Sequence, residues 1–108
     1  MPITQHFRET VMIRAQRDRR FRAAMLTEAI NELLAGDIAA GKTMLRDYVN
    51  ATITFDTLAK KVDKPSKSLQ RMLGPKGNPT AESLFGIIKE LQKFEHVHLE
   101  VKATKNAA

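Results

Sequence analysis

Pro65, the pair Gly74-Pro75 and the run Gly77-Asn78-Pro79 divide the stretch from Phe55 to Leu84 into pieces that fit two brief helices and the start of a third. Proline has no backbone N–H, so it is tolerated in the first turn of a helix and stops one that runs into it. The first piece, FDTLAKKV, puts Leu58, Ala59 and Val62 on one face; the second, PSKSLQRML, offers Leu69, Met72 and Leu73 to meet them. The other face of the second helix carries Lys67, Gln70 and Arg71. A short packing helix, a sharp turn and a second helix with a polar, basic outer face is the pattern of a helix-turn-helix. Arg and Gln can bond a base edge through two atoms at once, so Lys67, Gln70 and Arg71 are the expected base-reading residues, with Lys64, Ser66, Ser68 and Lys76 placed to hold the DNA backbone.

Upstream, apolar spacing predicts a first helix over 4–16 with Phe7 and Val11, then a helix from a cap at Asp18 to Ala35 with Phe21, Met25, Leu26, Ala29, Ile30 and Leu33 as its stripe. Gly36 ends it, and Asp37 caps a third helix whose inward residues are Ile38, Leu45, Tyr48 and Val49. Thr54 is placed to cap the first helix of the helix-turn-helix. Thr80 is placed to cap the last helix, with a ridge of Leu84, Ile87, Ile88, Leu91 and Phe94. With 43% apolar residues, 6% aromatic ones and no Trp, a core of Leu, Ile, Met, Val and Ala favours helices over a sandwich. The expectation is one all-α domain of five to six helices in 108 residues: amino-terminal helices over 1–52, the helix-turn-helix and its following helix over 54–94, a carboxy-terminal strand over 95–103 and a tail over 104–108.

The strand is read from a change of period, since Val97, Leu99 and Val101 alternate with His98, Glu100 and Lys102. A lone strand cannot satisfy its own N–H and C=O groups, and no second strand is evident. Pairing with another chain, a second copy or a different protein, is one outcome; a frayed tail is the other.

Eighteen basic residues against 12 acidic give +6, and the excess is concentrated: between Lys60 and Lys76 six basic residues face Asp63 alone. Such a field accelerates association with a polyanion and gives salt-dependent affinity. Arg14, Arg17, Arg19, Arg20 and Arg22 form a second cluster, equally readable as a phosphate-contacting patch, a patch for an acidic partner or a solvated helix start. There is no cysteine, which removes disulfides and thiolate metal sites and fits a reducing cytoplasm. The longest run without a charged side chain, Tyr48 to Phe55, is far short of a membrane span.

Gly36 to Thr43 matches G-x-x-x-x-G-K-T, the phosphate-cradling loop of nucleotide hydrolases, letter for letter. That loop must follow a buried strand, whereas the preceding EAINELLA is helical in composition and spacing. Asp37 would also set a carboxylate against the phosphates. A nucleotide-binding protein is therefore the remote alternative, and Lys42 is read as a solvated lysine beyond a helix boundary. His96 and His98 lack a third metal ligand nearby, His6 is isolated, and the carboxylates are scattered, so no enzyme, cofactor or metal site is expected.

Residues 58–91 resemble the helix-turn-helix of the addiction-module antidote (antitoxin) proteins, part of the wider phage-repressor-like (lambda-repressor-like, Cro-type, xenobiotic-response-element) group. The matching pieces are Leu58-Ala59, Ser66-Lys67-Ser68-Leu69, Gly77-Asn78-Pro79, and Ser83-Leu84 with Ile88. Many relatives have Gly-Leu where this chain has Asp63-Lys64, and an aromatic-basic pair where it has Gln70-Arg71. The resemblance implies a transcription regulator, double-stranded DNA as ligand, a homodimer, and a small toxin protein as a second partner. The rival is an interaction module that holds a toxin without touching DNA.

Overall fold

The computed structural model describes residues 5–106, which form six helices: α1 (Gln5–Arg17), α2 (Arg19–Leu34), α3 (Ile38–Ala51), α4 (Phe55–Val62), α5 (Ser66–Met72) and α6 (Ala81–Glu95). The all-α class is as the sequence implies. Residue 4, where the first helix was expected to begin, the side chain of His6 and the last two tail residues lie outside the described set.

Local chemistry sets most boundaries. The Asp18 carboxylate accepts from the Phe21 N–H at 3.1 Å and starts α2. The helix ends in a paired closure: the N–H of Gly36 donates to Leu33 and that of Asp37 to Glu32, with Gly36 at a left-handed φ of 86°. Asp37 then caps α3 by accepting from Ala40 N–H at 3.1 Å. The resulting α2–α3 hairpin is tight because Gly41 lets Leu33 press on the α3 backbone; a Cβ at Gly41 would collide with the Leu33 side chain. Thr54 precedes α4 as expected, but with a positive φ of 72° and no side-chain bond to the helix backbone, so it is not a hydrogen-bonding cap.

The core runs through all but α1 as one cluster: Leu26 and Ala29 of α2, Leu45, Tyr48 and Val49 of α3, Phe55 and Leu58 of α4, Leu69 of α5, and Ile87, Ile88 and Leu91 of α6, joined by Ile53 and Leu73 from the connections. Each large apolar side chain so buried contributes roughly 1.5–3 kcal/mol. Two expected core positions are corrected. Ile38 is 48% exposed, because it opens α3 beside the exposed residues 34–37. Phe94 is 39% exposed, while Glu95, four residues beyond Leu91, takes the next inward place at 2% exposed.

A carboxylate so deeply buried requires partners. Glu95 accepts from the Tyr48 hydroxyl at 2.7 Å and from Arg22 Nε at 3.1 and 3.3 Å, and the Arg22 guanidinium also donates to the Ala15 carbonyl at 3.0 Å. One acidic residue thus ties α6 to α2 and α3, and through Arg22 to α1.

The expected carboxy-terminal strand over 95–103, with Val97, Leu99 and Val101, is absent among the described residues. α6 ends at His96 in a left-handed conformation (φ 58°), with Val97 N–H donating to the Gln92 carbonyl at 3.1 Å. The Leu99 N–H donates to Gln92 Oε1 at 2.9 Å, and Val97 and Leu99 pack on the helical core. The alternation was a half-buried extended tail, satisfied by a side chain rather than by another strand. Val101 alone of the three is exposed, at 76%.

Replacing Glu95 by Ala strands both the Arg22 guanidinium and the Tyr48 hydroxyl. The expected loss of unfolding free energy is about 2–4 kcal/mol, with Arg22's partial exposure moderating it, against about 1 kcal/mol for Tyr48→Phe. Urea titration followed by circular dichroism measures both. Burial, and then the bond to Glu95, push the Tyr48 hydroxyl pKa well above its ordinary value near 10. Below pH about 10 folded and unfolded chains both keep the proton; above it only the unfolded chain releases it readily, so stability falls as pH rises. Tyr48 is the sole tyrosine and there is no Trp. Tyrosinate absorbance is therefore expected to appear only with alkaline unfolding, and Tyr48→Phe is expected to flatten that alkaline decline.

Candidate nucleic-acid interface

α4 and α5 are joined by a reversal at Asp63, whose left-handed φ of 54° allows the Lys64 N–H to donate to the Ala59 carbonyl at 3.2 Å. Asx residues adopt this conformation more readily than most side chains. Pro65 stands just before α5, with its carbonyl accepting from Ser68 and Leu69 N–H groups at 3.0 and 3.2 Å.

From that start the helix phase sorts the side chains. Leu69 and, just beyond the helix, Leu73 are buried against Leu58, with Met72, Ala59 and Val62 packed beside them. Lys67, Gln70 and Arg71 are exposed together, as are Lys64 and Lys76; Ser66 and Ser68 are half-buried. The hydroxyls of Ser66 and Ser68 make no capping bond to α5. Instead Ser66 Oγ accepts from Gln70 Nε2 at 3.1 Å, which holds Gln70 along the outer face. Among the described residues, Lys64, Lys67, Arg71 and Lys76 have no acidic partner within ion-pair distance.

The residue that fixes this face is one the sequence reading assigned to solvent. Lys42 is 5% exposed, and its ammonium donates to the Gly74 carbonyl at 3.0 Å and to the Gly77 carbonyl at 2.6 Å. It therefore holds the turn that leaves α5. Gly77 is required there, because a Cβ would collide with the carbonyl oxygens of Arg71 and Met72. The phase of α3 carries the missed signal: Lys42 lies three residues before Leu45 and seven before Val49, on the inward face. The same geometry disposes of the nucleotide-loop match. Gly36 terminates one helix, Gly41 accommodates a helix crossing, and Lys42 spends its donors on backbone carbonyls.

The arginine cluster divides. Arg22 belongs to the Glu95 network, and Arg14 lies 3.7 Å from Asp18 and 4.6 Å over the Phe21 ring, while Arg17, Arg19 and Arg20 are exposed. His96 serves the end of α6 and His98 is exposed; no group of three metal-ligating side chains occurs among the described residues. No described helix is long and apolar enough to cross a membrane. Comparison of the chain with models of known families, with curated proteins and with solved structures gave no match.

Lys42→Met keeps the aliphatic stem but leaves two carbonyls without their cationic donor. It is expected to cost about 1–3 kcal/mol in urea unfolding and to speed hydrogen exchange around Gly74 and Gly77 more than in α2. Mg-ATP is expected to leave the melting temperature of the unaltered protein unchanged.

Proposed function

We propose that the protein is a sequence-specific, double-stranded-DNA-binding regulator of the helix-turn-helix type, acting as a homodimer in the cytoplasm. The observation that carries this reading is the division of α5 into two faces: Leu69 clamped in the core, and Lys67, Gln70 and Arg71 exposed side by side on a helix whose exit turn is held by Lys42. A recognition helix needs both properties, since side chains read bases only when the helix beneath them is held in one orientation. Lys67, Gln70 and Arg71 enter the major groove, and Lys64, Ser66, Ser68 and Lys76 hold phosphates on either side. The uncompensated charge from Lys60 to Lys76 supports the same ligand.

The resemblance of residues 58–91 to the antidote proteins extends the reading: the protein is an antitoxin that represses its own operon and neutralises a small toxin. Asp63 supports the resemblance, because it supplies the left-handed turn that Gly supplies in many relatives. The exposed Arg17, Arg19 and Arg20, on the amino-terminal helices, form a separate surface open to an acidic protein. A module that binds the toxin alone would use that surface and leave α5 idle.

Arg71→Ala is expected to weaken binding to the preferred operator by about 1–3 kcal/mol and to leave random duplex nearly unaffected. Lys76→Ala is expected to weaken both equally and to reduce the salt slope by about one unit. Fluorescence anisotropy over a salt series, on DNA taken from upstream of the gene and on scrambled duplex, separates these outcomes. Equal losses for the two variants on both duplexes would refute the assignment of roles, and absence of binding to either duplex would leave the toxin-only module.

A further inference from the structure

α6 buries Ile87, Ile88, Leu91 and Glu95 on its inner side, and on the opposite side it presents Glu82, Phe85, Gly86 and Lys89 on one arc, since residues three, four and seven apart share a helix face. Two features of that arc, Phe85 and Gly86, have no explanation within the chain, while Glu82 stands in the first turn of α6, where an acid is favoured. Phe85 is 64% exposed, the most solvent-accessible aromatic ring among the described residues of known exposure. Gly86 sits in the middle of a helix, where glycine is disfavoured, with nothing within 4 Å of the place its Cβ would occupy. Gly41, the other helix-interior glycine described, is accounted for by Leu33; Gly86 has no such neighbour. Glu82 and Lys89 are exposed at opposite ends of the arc, and neither has an ion-pair partner among the described residues.

We infer that this arc is a self-association surface on which α6 packs antiparallel against α6 of a second copy, about a two-fold axis passing between residues 85 and 86. That register sets Phe85 on Gly86 of the partner subunit and Glu82 opposite Lys89 of the partner subunit, each pair formed twice. The glycine lets the helices approach closely, the ring fills the space beside it, and the charges complement one another only in this antiparallel sense. A parallel arrangement would set Glu82 on Glu82. An isologous contact of this kind requires one surface to be its own complement, which the order acid, ring, glycine, base supplies. This deepens the homodimer part of the proposed function. It is measured without DNA, so either reading can fail alone.

Sedimentation equilibrium of the full chain at low salt tests it, from about 1 to about 300 micromolar, the range suited to a small helix-on-helix contact. The unaltered protein is expected to dimerise with rising concentration. Phe85→Ala and Gly86→Gln are each expected to weaken association about tenfold or more, with circular dichroism unchanged, since both sites are open in the single chain. Glu82→Lys and Lys89→Glu are each expected to be monomeric, whereas an equimolar mixture of the two associates, because each subunit then offers the charges the other lacks. A protein that stays monomeric throughout, a dimer indifferent to these substitutions, or a mixture that associates no better than its components would overturn the proposal.

Discussion

The buried ammonium of Lys42 is the constraint on which the proposed DNA-binding face depends. α5 has only seven residues, too few to hold a direction by its own hydrogen bonds, and helices this short draw their stability from packing. Its inner side is held by Leu69 and Leu73, but a row of apolar contacts permits sliding and rotation. Two charge-assisted bonds from α3 to the Gly74 and Gly77 carbonyls restrict that freedom. The outward side chains of α5, the proposed base readers, are therefore set by a residue of α3.

Glu95 performs the matching task for α6. Lys42 and Glu95 are the two charged residues buried among those described, and both link the α2–α3 hairpin to the carboxy-terminal helices. Their partners lie 32 to 73 residues away in sequence. An apolar pair at either place could add as much stability, as buried ion pairs contribute little net energy after desolvation. What the charges add is direction: a carbonyl or carboxylate out of line leaves an unsatisfied buried group, so alternative packings of the two halves are penalised.

Much of the architecture was legible because local chemistry decided it. Asp18, Gly36, Asp37 and Thr80 each mark a helix end through bonds that span no more than five residues, and such signals are contained in the sequence itself. The exposed set Lys67, Gln70 and Arg71 followed from helical phase and from Leu69, Met72 and Leu73 behind it. The misreadings share another origin. Lys42 lies on an apolar face by phase, as Glu95 does, yet a charged residue such as Lys42 reads as solvent-facing unless its distant partner is known. Val97 and Leu99 alternated with polar residues as a strand would, but the acceptor that satisfies Leu99 is the side chain of Gln92, which no periodicity reveals.

The distribution of acid completes the case for an electrostatic role of the α5 face. Glu95 is consumed in the core, Asp18 and Asp37 cap helices, and Glu90 lies 3.5 Å from Lys93. Asp63, the only acid between Lys60 and Lys76, forms the left-handed reversal and is itself exposed. Lys64, Lys67, Arg71 and Lys76 have no carboxylate within ion-pair distance among the described residues. Exposed like charges so arranged are screened over about 10 Å at moderate salt. Bringing a phosphate backbone onto them releases ions, and that release supplies free energy before any base is read. In the proposed role, sequence preference would depend on whether Gln70 exchanges its bond to Ser66 for one to a base edge. Under that proposal the exchange would favour a base that offers a pair of complementary atoms over one that does not.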